Sequence, residues 1–298
     1  MKLEVTQENL ARALSTVARV AQSKTSLPVL NNILFRADNN QLTLAATNLE
    51  IAITEHINAK VVRPGVITIP ARLVSDYVAN LPKSTVTLSL EGTKLHIEAH
   101  NYRSSLNGMP ADEFPALPEI ESATQLTIPA NILKRAIQQT ILTVSHDETR
   151  PILTGIYMHV VDGMLYMAGT DGYRLSERAV IKTEAEVSAI IPASTLQDVV
   201  RVVPDEIEDI VIHINDQQVQ FTIGDIMITS KLIDGTYPDY RQLIPKTADT
   251  EFSASKDELL RIVKVASLFA RESGGSVTIA ADKAEHKISI HSLASQLG

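Results

Sequence analysis

Two rhythms of apolar and polar residues alternate along this chain. Three stretches change from every-second spacing to helical spacing at an Ile-Pro pair: "IPARLVSDYV" (69–78), "IPANILKRAI" (128–137) and "IPASTLQDVV" (191–200). Proline suits a first helical turn, where its missing N–H has no intrahelical partner to lose. Behind it, Ile132, Leu133, Ala136, Ile137 and Ile141 share one face, as do Leu196, Val199, Val200 and Val203. Looser relatives are "VTQENLARAL" (5–14), with Leu10, Ala13, Leu14 and Val17 on a face, and "FSASKDELLRIV" (252–263). The pattern predicts five helices, over 7–22, 71–80, 130–145, 193–203 and 256–272. Elsewhere strict alternation predicts short strands, paired as hairpins at 85–100 and 209–225.

A longer period organises these elements. "LTLAATNLE" begins at Leu42, "LYMAGTDGY" at Leu165 and "ISIHSLASQ" at Ile288, both steps being 123 residues. Leu10 and Leu133, on matching helices, are also 123 apart. Recurrence at a fixed interval marks duplicated structural units. Each unit holds too few helices to cover two sheet faces, and its strands pair as antiparallel hairpins, so the fold class is α+β. Proline and polar residues interrupt the pattern near 115–124 and 245–250, giving expected domains of 1–120, 121–247 and 248–298. Three whole copies would need about 369 residues, so the third copy is expected to be partial and the chain a fragment.

Composition narrows the class. Hydrophobic residues make up 44% of 298 positions but aromatics only 4%, so the cores are aliphatic. There is no cysteine, which excludes disulfides, thiol catalysis and cysteine zinc sites and fits a reducing compartment. The start "MKLEVTQENL" has no apolar signal region and no window supplies a membrane span, so a soluble cytoplasmic protein is expected. No phosphate-loop, dinucleotide or nucleophile-elbow motif occurs. "HDE" (146–148) reads as a polar loop, and His96 and His100, four apart in a strand, would stand roughly 13 Å apart, too far to share a metal. Catalysis, cofactors and metal are therefore not expected.

Net charge is −8, which argues against tight nucleic-acid binding. Yet the five helical segments together carry +4, leaving the acidity to the rest of the chain. Arg261, Lys264 and Arg271 fall on one stripe, and Lys134 and Arg135 lie opposite their helix's apolar face. The stretch "MAGTDGYRLSERAV" (167–180) sets a tight polar turn between alternating runs. From the residues alone, a hairpin turn, a peptide-docking scaffold and a weak DNA-binding surface all stay open.

Several strings in order resemble one family: "TSLPVLNNILF" (25–35), "TNLEIAI" (47–53), "FPALP" (114–118), "RPILTGI" (150–156), "TDGYRLS" (170–176) and "SKLIDGTYPDYRQLIP" (230–245). They are similar to the bacterial sliding clamp, the β subunit of DNA polymerase III, over the whole chain. The resemblance implies three clamp-type domains, each with two helices on the inner face and antiparallel sheets outside. It implies a non-catalytic processivity factor, two copies of which close a ring around double-stranded DNA without sequence specificity. Replicative polymerase, clamp loader and repair proteins would dock through short linear peptides. Carried onto this chain, that docking pocket comprises Leu153, Thr170, Gly172, Tyr173, Arg174, Leu175, Pro238, Gln242 and Leu243. Gln242 stands where some relatives have arginine, and Ala193 and Ser194 where relatives can carry basic residues. Residues facing DNA would be Lys24, Arg72, Lys134, Arg135, Arg261 and Lys264. The homodimer interface would take in Arg103, Leu106, Leu268 and Phe269. The family's terminal apolar segment, which completes the pocket, is expected beyond Gly298.

Overall fold

The computed structural model of the chain describes residues 1–21, 27–270 and 275–292. It divides into two compact units, Met1–Pro238 and Asp239–Gly298.

In the first unit β1 (Lys2–Thr6) runs into α1 (Gln7–Ala21), followed by β2 (Asn32–Asp38), β3 (Gln41–Thr47), β4 (Ile51–Asn58), β5 (Lys60–Arg63) and β6 (Gly65–Pro70). Next come α2 (Ala71–Ala79), β7 (Thr85–Glu91), β8 (Lys94–Ala99) and β9 (Tyr102–Asn107). The order then returns without the short β5. It runs β10 (Thr124–Pro129), α3 (Ala130–Thr140), β11 (Gly155–Val161), β12 (Met164–Thr170), β13 (Leu175–Lys182) and β14 (Ser188–Pro192). It closes with α4 (Ala193–Val202), β15 (Asp209–Ile214), β16 (Gln218–Ile223) and β17 (Ile226–Lys231). The starts of β2 and β11, of β3 and β12, and of β6 and β14 are each 123 residues apart. Strand order repeats as well: β6-β2-β3-β4 matches β14-β11-β12-β13, and β1-β7-β8-β9 matches β10-β15-β16-β17.

The two repeats are fused. β17 of the second pairs antiparallel with β4 of the first, from Ile226 opposite Glu55 to Ser230 opposite Ile51. Eight strands thereby form one sheet that crosses from repeat to repeat. The counterparts of those two strands, β9 and β13, each end a sheet in this chain. Helices bury the faces their spacing predicts, Leu10, Ala13, Leu14 and Val17 on α1 and Leu133, Ala136 and Ile137 on α3. One aliphatic cluster runs through both repeats. Each fully buried leucine or isoleucine in it contributes roughly 1.5–3 kcal/mol.

Turn chemistry follows the twist of the strands. The β2–β3 and β11–β12 hairpins close on Asn39-Asn40 and Asp162-Gly163, all four with positive φ. Two left-handed residues match the right-handed twist of the flanking strands. Helix α3 stops at Thr140, five residues before the predicted end, and a 3₁₀ turn covers Ile141–Thr143. There the Thr140 hydroxyl donates to the Ala136 carbonyl at 2.8 Å, and Thr143 donates to the Gly169 carbonyl of β12 at 2.8 Å. Side chains that bond to backbone compete with helix continuation.

The second unit holds a 3₁₀ turn (Tyr240–Leu243), α5 (Lys256–Ala270) and the hairpin β18 (Thr278–Asp282) and β19 (Lys287–His291). The starts of β3, β12 and β19 keep the 123-residue interval. Unlike α1, α5 leaves Leu260, Ile262, Val265, Leu268 and Phe269 exposed. Among the described residues no helix is long and apolar enough to cross a membrane.

Candidate partner-binding site

The turn between β12 and β13 is fixed by its own side chains. Thr170 and Leu175 face each other as the last strand pair. The Asp171 carboxylate accepts the backbone N–H groups of Tyr173 (2.9 Å) and Arg174 (3.0 Å) through Oδ1 and the Arg174 Nε–H through Oδ2 at 3.0 Å. Thr170 Oγ1 donates to the Arg174 carbonyl at 2.7 Å and accepts the Gly172 N–H at 3.0 Å. Gly172 has φ +93°, a region open to glycine and strained for other residues. The two backbone donors, before the arginine, pull the Asp171 carboxyl down to about 2. Tyr173 is thrust outward and is 94% exposed.

Beneath the turn, Thr143 also bonds Ser176 at 2.6 Å, tying β13 to the segment after α3. That segment leads to Ser145, whose N–H donates to the Leu153 carbonyl at 2.8 Å. Leu153 and Leu175 are half-buried, so each keeps apolar surface open. Two neighbours were missed in the sequence. Arg150, held by Asp147 at 3.2 Å, places Nη1 3.7 Å from where a Cβ on Gly172 would sit. Tyr237 is buried and stacks on Tyr157 at 4.9 Å, with Tyr157 stacked on His159 at 4.3 Å. Burial pushes the Tyr237 phenol up to about 12, against a hydrogen bond with the Thr170 backbone that lowers it. Stacking on Tyr157 therefore secures the segment ending in exposed Pro238 to β11. A tyrosine beside proline in a chain with 4% aromatics was the available signal.

These contacts link Leu153, Thr170, Gly172, Arg174 and Leu175 into one patch, with Pro238 adjoining. Gln242 and Leu243 belong to the second compact unit, where Leu243 is exposed and the Gln242 amide donates to Asp239 at 2.6 Å. The patch offers half-open leucines beside an oriented guanidinium, a combination that takes an apolar side chain and a backbone carbonyl or carboxylate.

The basic residues are dispersed. Arg72 on α2 lies 3.8 Å from Asp76, both exposed. Lys134 on α3 pairs with Asp205 at 3.5 Å and is largely covered, whereas exposed Arg135 makes no ion pair among the described residues. Arg261 and Lys264 are exposed on α5. Lys24 lies outside the described residues, as does Arg271. On edge strand β9, Arg103 is exposed beside Glu98 at 3.6 Å. Leu106 is buried in the chain's own core, so at that position the strand offers backbone. Leu268 and Phe269 are exposed on α5. No metal-binding cluster occurs among the described residues.

Residues 1–118 match the family described as DNA polymerase III beta subunit, N-terminal domain, and residues 127–239 match its central domain. The beta sliding clamp of Bacillus subtilis (strain 168) is 32% identical over 310 residues, covering 100% of this chain and 82% of that protein. A crystal structure of the DNA polymerase sliding clamp from Bacillus subtilis superposes with TM-score 0.90 at 30% identity, over 99% of this chain and 84% of that one. A sliding clamp from Bartonella birtlesii bound to griselimycin gives TM-score 0.88 at 27% identity, over 99% and 84%.

Proposed function

This chain belongs to the DNA polymerase III beta subunit family, the beta sliding clamps, and from that premise we propose how its surfaces divide the work. The protein is a processivity clamp for DNA polymerase, encircling DNA and tethering its partners. The patch at 153 and 170–175, with Pro238, receives short linear peptides of the replicative polymerase, the clamp loader and repair proteins. The observation that carries this reading is the preorganised turn. Its backbone is fixed by Asp171 and Thr170 before any partner arrives, so little ordering remains when Arg174 and the leucines are engaged. That a related clamp is bound to griselimycin supports ligand binding by members of this family.

The duplex is held by few and weak phosphate contacts, from Arg72, Lys134, Arg135, Arg261 and Lys264 with Lys24. No base is read, which permits sliding, and topological closure takes the place of affinity. A net charge of −8 accords with this division. In our reading 1–120 and 121–247 are like domains, 248–298 is part of a third, and the chain works in the cytoplasm without catalysis. The β17–β4 pairing supplies a template for dimerisation. β9, the counterpart of β17, is an open edge that a β4-like strand of a second chain extends at Arg103, with Leu268 and Phe269 on the reciprocal surface.

Leu175→Ala and Arg174→Ala test the pocket against a fluorescent peptide from the cognate polymerase. Each is expected to weaken binding about tenfold with unchanged thermal melting. Unaltered affinity in Leu175→Ala removes the assignment.

A further inference from the structure

The peptide patch has a duplicate inside the same chain. We propose that the duplicate is a second docking groove, for an extended peptide carrying an apolar anchor and a carboxylate about four residues away. The proposal rests on the peptide-docking reading of the 170–175 patch.

The turn "TNLEI" (47–51) lies 123 residues before "TDGYR" (170–174) and repeats its four bonds to the backbone, without the Arg174–Asp171 side-chain bond. Thr47 Oγ1 donates to the Ile51 carbonyl at 3.0 Å and accepts the Leu49 N–H at 3.0 Å. Asn48 Oδ1 accepts the N–H groups of Glu50 and Ile51 at 3.0 and 2.9 Å. Leu49 takes φ +76°, where its counterpart Gly172 has +93°. The fold holds a leucine in a conformation that suits glycine, and that leucine stays about half exposed at 47%. The linker proline recurs too, Pro115 standing 123 residues before Pro238.

Beside this turn is a cavity of about 190 Å³, walled by Leu49, Ala52, Pro115, Pro118, Thr229 and Lys231. A second cavity of about 570 Å³ shares Ala52, Pro115, Pro118 and Thr229 with it and extends the groove to Arg36, His56 and Met227. One wall comes from the β3–β4 turn and the other from β16 and β17, joined by the β4–β17 pairing. Both walls lie within one compact unit.

The chemistry differs from that of the first patch. Asn48 and Ile51 replace Asp171 and Arg174, so the one charge in this turn is Glu50, where the other turn has Tyr173. Lys231 is neutralised by Glu50 at 3.2 Å. Exposed Arg36 makes no ion pair among the described residues, and it shares a row of the sheet with Thr43 and His56. Thr43 Oγ1 and His56 Nδ1 are hydrogen-bonded at 3.0 Å. Of the formally charged residues that line this cavity, Arg36 stands on the sheet and Glu119 on the linker. From Thr43 to Thr47 the strand advances roughly 13 Å, which is four residues of an extended peptide. A ligand whose apolar side chain enters between Leu49, Ala52 and Pro115 thus brings a carboxylate four positions away to Arg36.

The test uses the whole chain and an unlabelled heptapeptide with adjacent leucine and phenylalanine, aspartate four residues after the leucine, and serine elsewhere. Amide NMR shifts report each groove separately. Saturable shifts are expected at 47–52 and 229–231, in addition to any at 170–175. Leu49→Ser should weaken the former about tenfold without touching the latter. Arg36→Glu should weaken them about fivefold, and replacing the peptide's aspartate by lysine should restore binding to that variant. Thermal melting checks that both variants fold, and Arg36→Lys should keep the wild-type affinity. Shifts at 170–175 alone overturn the second groove and leave the first standing. Silence at both overturns both. Shifts at 47–52 indifferent to Arg36→Glu overturn the carboxylate specificity.

Discussion

At 47–51 an asparagine caps two backbone N–H groups in a turn that ends in isoleucine. At 170–174 an aspartate makes the same two bonds in a turn that ends in arginine. What the fold demands at this place is an acceptor at the second position and a threonine at the first. Charge is left free, because both turns are solvent-accessible and an amide oxygen caps as well as a carboxylate. The second repeat uses that freedom to aim a guanidinium, held at 3.0 Å by the same aspartate that shapes the backbone. The first repeat uses it to display a leucine. Duplication conserved the scaffold, and the contact chemistry diverged on top of it.

Where packing differs between the copies, the effects should be largest. Ala46 of β3 is fully buried and tolerated, whereas a Cβ at its counterpart Gly169 would lie 2.6 Å from the Thr140 carbonyl. Gly169→Ala should therefore destabilise by about 3 kcal/mol in urea unfolding, and Ala46→Gly by about 1 kcal/mol. Equal costs at the two positions would show that α3 does not press on β12 as described.

Exchanging the left-handed residues gives a smaller effect. Gly172→Leu should cost about 1–2 kcal/mol, while Leu49→Gly should be neutral or slightly stabilising, because relief of strain offsets the added unfolded-state entropy. Thermal melts of both variants decide this.

Acid separates the turns with the smallest effect. Asp171 titrates at about 2 in the folded turn against an ordinary 3.8, so its contribution is present above pH 3.8 and is lost as pH falls toward 2. Asp171→Asn should abolish that acid-dependent opening, read from the Tyr173 amide, and leave a turn as insensitive to acid as the one at Asn48. An acid transition surviving in Asp171→Asn would assign it elsewhere.

Much of this was legible in the sequence because faces and periods are local properties. The helix faces on α1, α3 and α4, the hairpins at 85–100 and 209–225, and the 123-residue interval all rest on spacing that the structure retains. The pairing of β17 with β4 was not legible. Alternation shows which side of a strand is buried but not which strand lies beside it. The early end of α3 escaped notice because Ile141 continues the apolar stripe, and only a tertiary bond from Thr143 to Gly169 turns the chain. At the site, the turn and its leucines were found through the family resemblance. Tyr237 and Arg150 were missed because their roles come from long-range packing onto Tyr157 and Gly172.

Clamp action itself is tested most directly by topology on DNA. The protein, loaded by its clamp loader onto nicked circular duplex, is predicted to stay bound through gel filtration and to be lost when the circle is cut to a linear form. Retention that is unaffected by cutting, or binding that depends on base sequence, would contradict encirclement.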